Sequence, residues 1–246
     1  MRKTLVAGNW KMNASQQQTQ ALLSALTEAA PLPCDVAVFP PSPYLIQARD
    51  LLSGSTIALG GQDCSAAESG AFTGDISSAM LADVGATMVL VGHSERRTLN
   101  HETDQLVIEK TRQALKHGLT VVVCVGETLA ERQAGHEEKV VGTQCAAIIA
   151  ELSDSEWQNI IIAYEPVWAI GTGETASPAQ AQAMHSYIRQ LIAARSVELA
   201  DTTRILYGGS VKGANASELF AQPDIDGGLV GGASLDAVEF LSICRA

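Results

Sequence analysis

The sequence predicts an α/β protein: a single closed (β/α)8 barrel of eight parallel strands, with residues 1–246 as one domain. Three observations point there. Short apolar, β-branched runs recur at a steady cadence, helix-like stretches separate them, and no Pro/Ser-rich linker or low-complexity tract divides the chain. The length of 246 residues suits one such unit, since α/β barrels of about 200–250 residues are commonly single domains.

The runs are Thr4–Gly8, Asp35–Phe39, Ile57–Gly61, Thr87–Gly92, Thr120–Val125, Ile160–Tyr164, Arg204–Tyr207 and Asp226–Val230. Helix-like stretches lie between them, among them Gln16–Ala30, Thr103–His117, Glu137–Leu152 and Pro178–Ala194. The last begins with Ser177 as N-cap and Pro178 at the first helical position, where its missing N–H costs nothing. Strands alternating with helices imply right-handed βαβ units and a parallel sheet. An open doubly wound sheet is the alternative. It usually has fewer strands, and no G-x-G-x-x-G stands here between a first strand and its helix.

Composition narrows the function. With 46% hydrophobic residues there is ample material for a core. No run of about 18 apolar residues is present, so no membrane span is expected. The opening "MRKTLVAGNWKMN" lacks the apolar segment of a secretory signal. Five cysteines, an odd number without C-x-x-C spacing, suit free thiols in a reducing cytoplasm better than a disulfide framework or a metal site. The sequons at Asn13 and Asn215 therefore carry no weight. A net charge of −11, from 27 acids and 16 bases, repels nucleic acid and acidic membranes. An anionic small molecule would have to be captured by local devices. There is no Walker A loop, no H-E-x-x-H, no G-x-S-x-G and no EF-hand loop, and nothing suggests a metal or a cofactor.

In a closed barrel, function gathers where strands end and βα loops begin. Strand one ends in "GNWKMN", strand four in "GHSERR", strand six in "YEPVWAIGTG", strand seven in "YGGSV" and strand eight in "VGGASL". Glu165 follows an apolar strand core and precedes a half-apolar loop, Pro166–Ala176. A lone acid is more often a loop cap. Here the loop has the composition of a lid that shuts out water, and a partly desolvated carboxylate becomes a better base. His93 is either a satisfied core histidine or a mouth residue; Glu95-Arg96-Arg97 reads as the start of a short helix, whose N-terminal partial charge favours neutral imidazole. Lys11, with Asn9 two residues earlier, is a solvated lysine or an anion contact, with Glu95 as a candidate partner.

Gly208-Gly209-Ser210 and Gly231-Gly232 follow the last two strands, the usual place for a phosphate cradle in such a barrel. Bare N–H groups bind phosphate without net positive charge, which reconciles an acidic protein with an anionic ligand. The loop "GQDCSAAESGAFTGDIS", Gly61 to Ser77, either folds back on itself as an Ω-loop or inserts the apolar Phe72 into a second subunit.

"AGNWKMN", "VGHSERR", "CVGE", "AYEPVWAIGTG", "YGGSV" and "LVGGASL" together resemble the motifs of triosephosphate isomerases, in the right order and spanning Leu5 to Leu235. That family is itself a standard case of environment-tuned acid–base chemistry and lid closure, so the following roles come with the resemblance. It implies a TIM barrel and cofactor-free interconversion of dihydroxyacetone phosphate and D-glyceraldehyde 3-phosphate in the cytoplasm. Glu165 would carry the proton between carbons and His93 would polarise the carbonyl. Lys11 and Asn9 would stabilise the oxyanion, with Glu95 orienting them. Gly171, Ser210, Gly231 and Gly232 would hold the phosphate. A homodimer through the 61–77 loop is implied, with Thr73 reaching the partner's site. The sequence departs from the family at Glu174, where lysine is common, and at Asp63 and Cys64. Two rivals remain open: another phosphate-binding barrel isomerase or lyase, which should lack the strand-six base and lid, and an inactive phosphometabolite binder.

Overall fold

The structure, a computed structural model, describes residues 2–170 and 175–246. Eight strands close into one all-parallel barrel in chain order, β1 (Leu5–Asn9), β2 (Asp35–Phe39), β3 (Ala58–Gly61), β4 (Met88–Val91), β5 (Thr120–Val125), β6 (Ile160–Tyr164), β7 (Ile205–Tyr207) and β8 (Gly227–Val230). β8 returns to pair with β1, with Leu5 opposite Gly227 and Gly8 opposite Val230. Closure leaves no sheet edge exposed.

The expected strands all form, each within one residue of its expected ends, with β1 shifted one residue along to finish at Asn9. The helices agree as closely: Gln16–Glu28, Asp104–Lys116, Glu137–Glu151 and Pro178–Arg195. Ser177 caps the last by accepting the Gln180 N–H, and Gln180 returns the favour to the Ser177 N–H.

The period-two alternation of a strand sorts its side chains into two apolar layers. Leu5, Ala7, Ala37, Phe39, Met88, Leu90, Val122, Cys124, Ile161, Ala163, Leu206 and Leu229 fill the barrel interior. Val6, Val36, Val89, Val123 and Ile162 face the other way, against helix residues such as Leu22, Leu23 and Ile188. The same alternation aims the chemistry. In β1 the inward series Leu5, Ala7 continues to Asn9, and in β6 Ile161, Ala163 continues to Glu165. A polar residue at the end of each inward series therefore lands in the barrel mouth.

Candidate active site

A cavity of about 310 Å³ opens at the C-terminal ends of the strands. Asn9, Lys11, His93, Glu165, Ser210, Gly231 and Gly232 all line it. Seven of the residues singled out from sequence, drawn from five strand ends, are thus brought together. Glu95 stands behind this group, and Gly171 lies outside the described residues.

Glu165 is only 2% exposed. Its Oε1 lies 2.8 Å from His93 Nε2, and its Oε2 accepts the Ser94 backbone N–H at 2.8 Å. Its position depends on a close backbone approach from β5: a Cβ on Gly126 would sit 1.8 Å from the Glu165 carbonyl oxygen, so only glycine fits there.

His93 reaches the mouth by a different device. Strand alternation would not deliver it; Gly92, in left-handed backbone at φ +65°, turns the chain so that His93 becomes the N-cap of the helix Ser94–Leu99. Its Nδ1 accepts the Glu95 backbone N–H at 3.2 Å, an unprotonated acceptor by necessity. The proton of the neutral ring therefore belongs to Nε2, which faces Glu165 and the cavity. Burial pushes the His93 pKa down, but the adjacent Glu165 charge, its hydrogen bond and Glu95 outweigh that and hold it above the ordinary value. The partial positive charge of the helix N-terminus acts in the opposite sense to the carboxylate, disfavouring the imidazolium. The helix contributes by fixing which nitrogen is bare.

Lys11 has φ +52°, uncommon for a residue with a side chain and a form of strain found at functional positions. Two contacts hold it there. Asn9 Oδ1 accepts the Lys11 N–H at 3.0 Å, and Gln62 Nε2 donates to the Lys11 and Phe39 carbonyls, both at 2.8 Å. Glu95 Oε1 then takes the ammonium at 2.5 Å. The expected Lys11–Glu95 pair is present, and Gln62 is a support that no motif signalled.

On the opposite wall a Cβ added to Gly232 would meet nothing within 4 Å. Its backbone borders open cavity space at the start of the short 3-10 turn Gly232–Leu235, where N–H groups have no helical partner. Ser210 stands on the neighbouring loop, whose carbonyl at residue 210 accepts from Asn215 Nδ2 at 3.1 Å.

The loop after Glu165 starts with the 3-10 turn Val167–Ala169. Glu127, fully buried, anchors it: Trp168 Nε1, Tyr164 Oη and Arg132 Nη1 all donate to Glu127 Oε1, at 2.8, 3.1 and 3.0 Å. Arg132 also stacks over the Trp168 ring, 4.9 Å from its centroid. "CVGE" was noted only as a motif; the anchoring role of Glu127 was not foreseen. At the far end Ala176 is buried. Glu174, the departure from family usage, lies outside the described residues.

The 61–77 loop closes its neck through Ser65 N–H to the Ile76 carbonyl and Ser65 Oγ to Asp75, while Phe72 stays 52% exposed at the tip. It borders a groove of about 790 Å³ lined also by Met12, Arg96, Glu102 and Lys110. This groove is the larger cavity but has no base poised beside a histidine and no glycine cradle. Asp63, unexpected here, bridges Lys110 Nζ with both oxygens at 2.8 Å and takes Arg96 at 2.9 Å. Among the described residues no group of three or more His, Cys, Asp and Glu side chains is arranged to hold a metal.

The comparisons with known proteins agree with this geometry. A family model described as triosephosphate isomerase matches residues 4–246. The chain is 53% identical to the triosephosphate isomerase of Herminiimonas arsenicoxydans over the full length of both. It is 54% identical to that of Dechloromonas aromatica over all of this chain and 99% of the relative. With the Albidiferax ferrireducens protein of the same name it shares 55% over 99% of this chain and 98% of the other. A closed barrel, an acid and a histidine facing each other at its mouth, and matches of this length and identity lead to one statement: the chain belongs to the triosephosphate isomerase family.

Proposed function

We propose that the protein interconverts dihydroxyacetone phosphate and D-glyceraldehyde 3-phosphate through an enediolate, serving glycolysis and gluconeogenesis. Aldose and ketose have the same atoms, so only protons and a double bond move. The Glu165 carboxylate takes a proton from the carbon beside the carbonyl and returns it to the neighbouring carbon. In its neutral form, with the proton on Nε2, His93 donates to the carbonyl oxygen and passes a proton between the two oxygens. The Lys11 ammonium and the Asn9 side chain stabilise the oxyanion as it develops, in a pocket where such contacts gain strength from the exclusion of water. Glu95 orients Lys11. The phosphate rests on backbone N–H groups at Ser210, Gly231, Gly232 and Gly171, which suits a protein of charge −11. The loop 166–176 closes over the site and keeps water from the enediolate, which would otherwise shed its phosphate.

The observation that carries this reading is the contact of Glu165 Oε1 with His93 Nε2 at 2.8 Å over a cavity shared with Lys11 and the two glycine loops. The test is turnover of D-glyceraldehyde 3-phosphate by purified protein, coupled to reduction of the dihydroxyacetone phosphate formed. Binding of a phosphorylated triose analogue without turnover would instead identify a binder.

We further propose a homodimer in which the 61–77 loop of one protomer enters the groove of the other, and a cytoplasmic location. The 790 Å³ volume of the groove, the exposed Phe72 and a Met12 that is 95% exposed at its rim support the first. Sedimentation at low micromolar concentration tests it, and a stable, active monomer would overturn it. The free state of all five cysteines fits the second, and among the described residues no helix is long and apolar enough to cross a membrane.

A further inference from the structure

Two thiols meet on the face of the barrel opposite the mouth. Cys34 immediately precedes β2 and is half-buried; Cys244 ends the helix Ala237–Cys244 and is buried. Although 210 residues separate them, Cys34 Sγ donates to the Cys244 carbonyl at 3.3 Å. The charged groups near them are Asp35, Lys3 and Arg245.

We propose that Cys34 and Cys244 form a reversible redox pair, which a peroxide converts into a disulfide fastening the C-terminal helix to the N-terminal face of the barrel. The roles of the two sulfurs differ. The neighbouring Cys244 holds the Cys34 thiol below its ordinary value despite burial and Asp35, and the proximity of Cys34 together with burial raises Cys244. Cys34, the more accessible sulfur, is the one that meets the oxidant. Its thiolate attacks hydrogen peroxide: an S–O bond forms, the O–O bond breaks, and the departing hydroxide takes a proton to become water. Cys244 then loses its proton and attacks the Cys34 sulfur; the S–S bond forms, the S–O bond breaks, and the second oxygen leaves as water. Both thiols are oxidised by one electron each and the peroxide is reduced to two waters. The other three cysteines are unsuited: Cys64 and Cys145 are buried with thiols pushed up to about 12, and Cys124 is buried inside the barrel.

The test is exposure of the native full-length protein to hydrogen peroxide, alkylation of the remaining thiols after unfolding, digestion and mass spectrometry. The expected product is a linked peptide pair containing Cys34 and Cys244, lighter by two hydrogens and separated again by dithiothreitol. The oxidised protein should unfold at a higher temperature, because the link restrains the unfolded chain across a long loop. Turnover should be unchanged, since the pair lies away from the mouth. Cys34→Ser and Cys244→Ser should each abolish the link and the thermal shift; if the second fails to fold, the half-exposed first decides alone. Oxidation of Cys34 to the sulfinic acid with Cys244 left alkylatable would overturn the proposal. So would a thermal shift that survives in Cys34→Ser, or a link that leaves the unfolding temperature where it was.

Discussion

Two buried carboxylates of this chain look alike by exposure and differ in everything else. Glu165 is 2% exposed and Glu102 6%. Glu102 Oε1 accepts from two cations, Lys110 Nζ at 2.5 Å and Arg96 Nε at 2.6 Å, and Asp63 ties the same two cations from the other side. Burying an ion costs several kcal/mol unless charge of the opposite sign is fixed beside it. Around Glu102 that compensation is built in permanently. Among the described residues Glu165 is held by a backbone N–H and a histidine ring N–H, above an open cavity. Donors of that kind can be exchanged for a substrate, whereas a lysine and an arginine locked in a four-membered ion cluster cannot. Burial of an acid is therefore a poor guide to chemistry, and the identity of its donors is a better one.

The sharpest way to break this contrast is at Glu165. Shortening it to Asp withdraws the carboxylate from the mouth while keeping its charge, and turnover should fall by roughly 10²–10⁴, the range for a positioned general base. The unfolding temperature should stay near that of the parent. Steady-state kinetics and a thermal melt on the same sample check both halves, and unchanged turnover would remove Glu165 from the mechanism. Lys11→Met comes next. The Lys11–Glu95 pair is solvent-accessible, with side-chain exposures of 26% and 46%, so its loss should barely alter unfolding. Substrate capture should disappear. Michaelis behaviour like the parent's would reassign Lys11 to the solvated surface.

Glu102→Ala should do the reverse. It leaves Lys110 and Arg96 facing Asp63 alone, and breaking a buried pair costs about 3–5 kcal/mol of folding stability. Denaturant unfolding reads that loss directly. The kcat per folded molecule should not change; a parallel collapse of kcat would mean that the two carboxylates are not the separate cases drawn above.

The sequence disclosed what local pattern controls. Short apolar runs at a steady cadence place the strands, and inward alternation along β1 and β6 delivers Asn9 and Glu165. Ser177-Pro178 marks a helix start by chemistry confined to neighbouring residues. What it withheld depends on partners far away in the chain. Glu127 looks like an ordinary loop acid until Tyr164 and Trp168, 37 and 41 residues on, converge on one of its oxygens. Gln62 supports Lys11 from 51 residues away. The left-handed backbone at Lys11 is equally invisible, since no glycine announces it. A strand-end glycine followed by an acid, as in Gly126-Glu127, is the one local signal that could have drawn attention to that anchor, because it pairs a close backbone approach with a buried charge.

The smallest expected effect concerns His93, and it separates the contribution of burial from that of the carboxylate. His185 shows what burial does when no carboxylate touches the ring: desolvation drives it down to about 3. His93 is also buried, yet its value lies above the ordinary one because Glu165 and then Glu95 outweigh desolvation. In Glu165→Gln the charge disappears, so the His93 pKa should fall, which a proton NMR titration of the ring would read directly. The sign for stability follows. A folded-state value above that of the unfolded chain, about 6.5, means that the folded protein binds the proton more tightly. That contribution is complete below about pH 6.5 and is lost as pH rises through the raised folded-state value. The Gln variant should therefore lose most stability relative to its parent on the acid side of this window and least on the alkaline side. A His93 titration that does not move when the charge at position 165 is removed would show that the ring answers to its helix and not to the acid beside it.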